Sequence, residues 1–456
     1  MRRICSFFLL VFALSAEQAD WIWSARYVIT EDASQRVIEN GAVAVRGARI
    51  VAIGPRAAID ARFTARERLD RPNAILAPGL IDTHTHAAMS LFRGIANDLR
   101  LQDWLEKYIF PAEAKNVTPD FVRWGTRLGC LEMLLGGTTT FTDMYYFEDV
   151  AAEAAKEAGM RGVLGETIIG FPVPDNKTPA EALRFTERYL TRFAGDPLIV
   201  PAVAPHALYT NSDETLKAAR ALANRFHAPL VIHVAETKKE FDDEMVKRHT
   251  TPVGTLDNLG VFNGRTVAAH CVWVTEADMA ILKARHVGVA HCPSSNMMLA
   301  SGVSPVVRML ALGINVGLGP DGPAGSNNDF NMFEEMDLAA KLQKVTALDP
   351  RALTAATALS MATIGGARVL GMEKEIGSLE PGKLADMIVV GLDRPNAVPL
   401  YDPIAQMVYA LKAEDVRDVM VNGKPVVRDG GILTLNEPLI LAKAREYRDK
   451  IRASLR

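Results

Sequence analysis

The chain is poor in the features that would place it in several large protein classes. It holds four cysteines, Cys5, Cys130, Cys271 and Cys292, far apart and without a CxxC pair. That scatter excludes a disulfide framework and offers no zinc-knuckle spacing. Charge of one sign is missing too: 51 lysines and arginines stand against 54 aspartates and glutamates, a net charge of −3. Neither a basic footprint for nucleic acid nor an acidic disordered run is present, so small molecules are the expected partners. Apolar stretches are short. The run 4–14 cannot span a bilayer, so no membrane span is expected. With Arg2 and Arg3 before it and small or polar residues up to Ala19 after it, this run has the layout of a secretory signal peptide. Residues 1–19 are therefore expected to be a leader cut after Ala16 or Ala19, with a periplasmic product. A chain keeping Met1 would be cytoplasmic.

What is there is globular. Of 456 residues, 49% are hydrophobic and 23% charged, with 33 glycines and 24 prolines as punctuation. At about 150 residues per domain the length allows three domains, although one α/β barrel takes about 250 residues by itself. Residues 20–73 read as short β-rich runs separated by Gly47 and Gly54-Pro55, and so do residues 375–436. Between them, 74–374 alternates short apolar strands with amphipathic helices, the signature of βα units. One helix is bounded by a Thr118-Pro119 start and a Gly136-Gly137 stop. Eight strands are expected at 74–84, 138–143, 161–167, 198–206, 229–233, 265–270, 287–291 and 315–321. The reading is an α/β fold, a (β/α)8 TIM-type barrel, with a small β-sandwich built from both termini and a C-terminal helix over 437–456.

Polar residues fall where such a barrel keeps its chemistry, at the C-terminal ends of the strands. Histidine closes the first, fourth, fifth, sixth and seventh strands, and six of the nine histidines lie there: His84, His86, His206, His233, His270 and His291. Asp143, Glu166 and Asp321 end other strands, and Glu236 follows His233 by three residues. One such histidine is ordinarily a core residue with its hydrogen bonds made. Five strands ending alike argue for a shared site.

His84 and His86 are two apart on an extended strand, so their imidazoles point the same way. Joined by His233 and Asp321, they make three neutral imidazoles and one carboxylate. That set suits a single divalent metal, zinc before iron, manganese or nickel. No lysine ends the fourth strand, where Ala204-Pro205-His206 stands, so a bridged second ion is not expected. Such an ion lowers the pKa of a water. Glu236 can take that water's proton and pass it on, His270 can orient the nucleophile, and Asp321 can serve as a second acceptor.

These residues, with Arg93-Gly94-Ile95-Ala96-Asn97-Asp98-Leu99, Asp103-Trp104-Leu105, Pro111-Ala112-Glu113-Ala114, His291-Cys292-Pro293, Leu299-Ala300-Ser301-Gly302 and Ser326-Asn327-Asn328-Asp329, resemble the amidohydrolase superfamily. Within it they are most similar to the 5-methylthioadenosine/S-adenosylhomocysteine deaminases, from about residue 19 to the C-terminus. The resemblance implies zinc on His84, His86, His233 and Asp321, with Glu236, His270 and Asp321 as catalytic groups. It further implies substrate contacts from Glu113 to ribose hydroxyls and from His206, and a homodimer or homotetramer. The implied reaction is hydrolytic deamination at C6 of an adenine nucleoside, releasing ammonia and the inosine analogue.

Three features depart from that pattern. The segment 164–174 carries no arginine, Met297-Met298 stands where a lysine is more usual, and Gly325 lengthens the loop after Asp321. Other readings are a guanine or pterin deaminase, a triazine chlorohydrolase or, in a different class, a non-catalytic scaffold. Glu113 favours a nucleoside, Glu236 disfavours dechlorination, and the complete ligand set disfavours a scaffold. The HxE…PCxxC signature of the cytidine-deaminase fold is absent.

Overall fold

Pro78-Gly79 separates two sheets that a continuous apolar run had joined in sequence. The computed structural model describes residues 16–455, so most of the leader expected at 1–19 lies outside the described residues. Four strands come first: β1 (Glu17–Ile29), β2 (Val37–Arg46), β3 (Arg49–Pro55) and β4 (Phe63–Pro78). Eight more follow: β5 (Leu80–Thr85), β6 (Thr138–Tyr145), β7 (Arg161–Ile168), β8 (Ile199–Pro205), β9 (Leu230–Val234), β10 (Thr266–His270), β11 (Gly288–His291) and β12 (Val316–Leu318). The last four are β13 (Met387–Gly391), β14 (Val416–Val421), β15 (Lys424–Arg428) and β16 (Gly431–Ile432).

Strands β5 to β12 close a parallel barrel, with β12 pairing β5. The other eight form one continuous mixed sheet in the order β16-β15-β14-β13-β4-β1-β2-β3. Its two halves meet where β4 pairs antiparallel with β13, from Met387 opposite Pro78 to Gly391 opposite Ala74. Two expectations about strands are corrected here. The run 74–84 is two strands, because Ala74–Pro78 pairs in the terminal sheet and only Leu80–Thr85 enters the barrel. The eighth strand is shorter than 315–321 and ends at Leu318, so Asp321 stands three residues beyond it.

The barrel interior is filled by Ile81, Met144, Val163, Val231 and Val267, with alanines between them. Beneath it, the buried Arg161 at the start of β7 is paired with Asp386, 2.8 Å away, which ties barrel to sheet. A charge pair this deep is costly to break from one side. The helix Pro119–Leu135 starts as its sequence predicts, with the Thr118 hydroxyl accepting from Phe121 N–H. A final helix spans Glu437–Ser454. No helix among the described residues is long and apolar enough to cross a membrane.

Candidate metal centre and substrate cavity

The strand ends place the imidazoles. His84 and His86 follow from β5, and their rings lie 5.0 Å apart. The ring of His233, on β9, is 4.9 Å from that of His84. His270, closing β10, stacks on His233 at 5.5 Å and lies 5.4 Å from His84. Asp321 reaches the same point from beyond β12. Its Oδ1 is 3.4 Å from His84 Nε2 and 3.2 Å from His86 Nε2. The potential ligand atoms form two triads, His84–His233–His270 and His84–His86–Asp321, within each of which all lie within 4.8 Å of one another. His84 belongs to both.

Two of these side chains depend on unusual backbone. His270 and Asp321 have φ of 71° and 65°, in the left-handed region that side chains other than glycine rarely adopt. Each such residue costs about 1–3 kcal/mol and persists only where the surroundings hold it. Asp321 is held on every side. Its N–H donates to the His84 carbonyl at 3.1 Å, Ser295 donates its hydroxyl to Oδ2 at 2.6 Å, and Gly322 N–H donates to Oδ1 at 2.7 Å.

The hydrogen bonds also set the tautomers. His86 Nδ1 lies 2.7 Å from the Met144 carbonyl, and His233 Nδ1 lies 2.7 Å from the His206 carbonyl. A carbonyl can only accept, so Nδ1 carries the proton in both and the Nε2 lone pair is left facing inward. Neither nitrogen of the fully buried His84 has a hydrogen-bond partner. An orphaned buried imidazole among lone pairs and a carboxylate is what a divalent cation would satisfy, and this donor set suits zinc.

Charge follows the same layout. Burial would raise Asp321, but the imidazoles of His84 and His86 beside it outweigh that and hold the carboxyl well below the usual range. Burial lowers His84 to about 4 despite Asp321. Burial and then the Asp321 charge raise Glu236 to about 8. Glu236 lies in the turn after β9, its Oε2 3.8 Å from His270 Nε2. Glu240 holds that turn by accepting from the N–H groups of Ala235 and Glu236 at 3.1 and 2.9 Å.

A cavity of about 560 Å³ opens above these groups and is lined by His86, His206, His233, Glu236, His270 and Asp321. Glu113 also lines it, brought in by the helix Phe110–Asn116. Its carboxylate accepts from the hydroxyls of Tyr145 at 2.7 Å and Tyr146 at 3.3 Å. Burial raises it to about 7 against the pull of the Tyr145 hydrogen bond. His206 sits just past β8 with Nδ1 3.1 Å from the Thr210 hydroxyl, and burial lowers it to about 3.

All eight side chains singled out as site residues thus gather around one point, His84 as a buried layer and the rest around the cavity. The other strand-end residues do not join them. Asp143 accepts from Ala87 N–H, and Glu166 accepts from Glu148 N–H and the Asn176 amide. These two and His291 are buried away from the cavity. Sequence reasoning overlooked Tyr145, Tyr146, Ser295 and Asn296, whose side-chain oxygen is 3.1 Å from His270 Nδ1. Their adjacency to Asp143 and to His291-Cys292-Pro293, at the same barrel rim, is the signal that pointed to them.

The amidohydrolase family profile matches residues 75–426, which span the whole barrel. The chain belongs to the amidohydrolase family. It is 45% identical over 440 residues to a 5-methylthioadenosine/S-adenosylhomocysteine deaminase of Syntrophus aciditrophicus, covering 96% of this chain and 99% of that one. Among solved structures it resembles a zinc-bound adenosine deaminase from Xanthomonas campestris, with a TM-score of 0.94 and 40% identity over 96% of this chain and 100% of that one. A triazine hydrolase from Arthrobacter aurescens is more distant, with a TM-score of 0.86 and 25% identity over 94% and 99% of the two chains. Gly325 of this amidohydrolase has a structural use. Its φ is 111°, and a Cβ there would overlap the Ala96 carbonyl oxygen, so only glycine lets the loop after Asp321 press on the segment before Trp104. Trp104 donates its indole N–H to the Ala324 carbonyl at 2.9 Å in the same contact.

Proposed function

We propose that this amidohydrolase is a zinc-dependent hydrolytic deaminase of adenine nucleosides, taking 5-methylthioadenosine, S-adenosylhomocysteine or adenosine to the inosine analogue and ammonia. The observation that carries the reading is one cavity lined both by the imidazole–Asp321 cluster with Glu236 and by Glu113, braced by two tyrosines. The relatives named as deaminases of these nucleosides support it.

His84, His86, His233 and Asp321 would hold the metal. When bound, it supplies positive charge that acidifies a neighbouring water. Asp321, whose carboxylate stays ionised, accepts a proton from the attacking water. Glu236 gives a proton to the purine ring nitrogen, then takes up the one that Asp321 removed from the water and delivers it to the departing amine. It is reprotonated from the added hydroxyl as the carbonyl forms, and its raised pKa favours these transfers near neutrality. His270 orients the nucleophile through the nitrogen that faces Glu236. Glu113 accepts hydrogen bonds from ribose hydroxyls, and His206 touches the substrate beside His233. Water adds at C6 to give a tetrahedral carbon, whose exocyclic C6–N bond then breaks to release ammonia and leave the C6 carbonyl of the inosine analogue.

An ammonia-release screen of the zinc-loaded protein over adenosine, 5-methylthioadenosine, S-adenosylhomocysteine, guanine and cytosine tests the reading. Turnover of adenine nucleosides is expected; guanine turnover alone would move the protein to the neighbouring base deaminases. The same reading carries a homodimer or homotetramer, which light scattering measures. Export is tested by N-terminal sequencing from the native host. A cut after Ala16 is favoured over one after Ala19, because Glu17, Gln18 and the buried Ala19 pair with Phe63, Thr64 and Ala65.

A further inference from the structure

One wall of the cavity comes from the helix Leu101–Trp104, the turn Leu105–Ile109 and the start of the helix Phe110–Asn116. It presents Leu101, Trp104, Leu105, Ile109 and Phe110, with Leu299 also lining the cavity. Among the described residues no lysine or arginine lines the cavity, whereas three carboxylic acids do: Glu113, Glu236 and Asp321. The apolar surface continues outward. Phe171, 37% exposed, lies edge-on to Phe110 at 5.2 Å, and Tyr209, 46% exposed, lies 6.0 Å from His206. Met297 and Met298, beside Leu299, are exposed as well.

A nucleoside bound with its base at the imidazoles and its ribose at Glu113 has one part left to cover, the 5′ substituent. A short thioether or alkyl group loses water against this wall favourably, since apolar burial needs no partner. The amino-acid tail of S-adenosylhomocysteine carries an ammonium and a carboxylate; the acids of the cavity can face the ammonium, but among the described residues no lysine or arginine lines the cavity to pair the carboxylate. An unpaired charge taken out of water is penalised heavily. We propose that the 101–110 wall makes this enzyme select adenine nucleosides with a short, uncharged 5′ substituent, such as 5-methylthioadenosine, over those with an amino-acid carboxylate, such as S-adenosylhomocysteine.

This proposal rests on the adenine-nucleoside reading above and is tested on the wild-type zinc-loaded protein. kcat/KM is measured for 5-methylthioadenosine, 5′-deoxyadenosine, S-adenosylhomocysteine and the carboxamide of S-adenosylhomocysteine. The expected order places the first two at least about tenfold above S-adenosylhomocysteine, with the carboxamide recovering most of the gap because it keeps the length and the ammonium and removes only the carboxylate charge. S-adenosylhomocysteine equal to or better than 5-methylthioadenosine overturns the proposal and leaves the deaminase reading standing. A carboxamide as poor as its parent also overturns it, because length would then be the cause. Failure of all four, and of adenosine beside them, defeats the deaminase reading itself.

Discussion

One set of cavity side chains hangs from strands whose register is set by a closed hydrogen-bond ladder; the other hangs from the segment 101–116, which is held by packing. His84 and His86 are fixed by β5, His233 by β9 and His270 by β10. Glu113 and the apolar wall are placed instead by contacts such as Trp104 on Ala324 and the two tyrosines on Glu113. The difference teaches a division of labour. Groups that must converge on one ion or move a proton need sub-ångström placement, which rigid elements supply. Groups that select a substrate tail need shape, and a helical loop segment can change shape without disturbing the ladder.

The sharpest way to break this comparison is at the strand end. Replacing Glu236 with Gln keeps the size of the side chain and removes its capacity to carry a proton. Deamination is expected to fall by about 10²–10⁴-fold, while zinc content by elemental analysis stays at the wild-type level. Undiminished turnover would strip Glu236 of its role. A smaller effect is expected one contact further out. Ser295→Ala removes the hydroxyl that donates to Asp321 Oδ2 at 2.6 Å. Partners of this kind are worth about 10–100-fold in metal affinity or activity. Chelator competition should therefore show weakened zinc retention in Ser295→Ala; retention equal to wild type would mean that the other bonds to Asp321 suffice.

The same division explains what could be read from the chain. The HxH pair, the histidines closing successive strands and the barrel itself were legible because strand periodicity and strand-end placement are local properties. The split at Pro78-Gly79 was not, since both halves of 74–84 are apolar and only pairing with β13 decides which sheet takes which. Asp321 read as the end of a strand, whereas it lies past Leu318 in a left-handed turn held by the adjacent Gly322 and by Ser295 and the His84 carbonyl, which are far from it in the chain. For the segment 101–116, periodicity pointed to no role. Family resemblance singled out Glu113, but its tyrosine partners come from β6 and the residue after it, and the wall owes its position to Gly325, more than 200 residues later.

The smallest effects belong to the packed end, and they sharpen the comparison by separating substrate binding from chemistry. Glu113→Ala should cost ribosides about tenfold in kcat/KM, the size of a lost hydrogen bond to a charged group, and leave free adenine nearly untouched. An equal penalty on both would contradict ribose recognition. The pH dependence carries the sign. Burial raises the Glu113 carboxyl to about 7, so below that pH it is largely protonated and has one acceptor fewer, and above it both oxygens can accept. KM for adenosine should fall by a few-fold as pH rises from 6 to 8, since one protonation change at a single contact is worth about 1.4 kcal/mol per unit of pKa at most. Glu113→Gln cannot ionise and should flatten that slope at an otherwise unaltered kcat profile. A slope that survives in Glu113→Gln would place the titrating group among the imidazoles and acids of the strand ends.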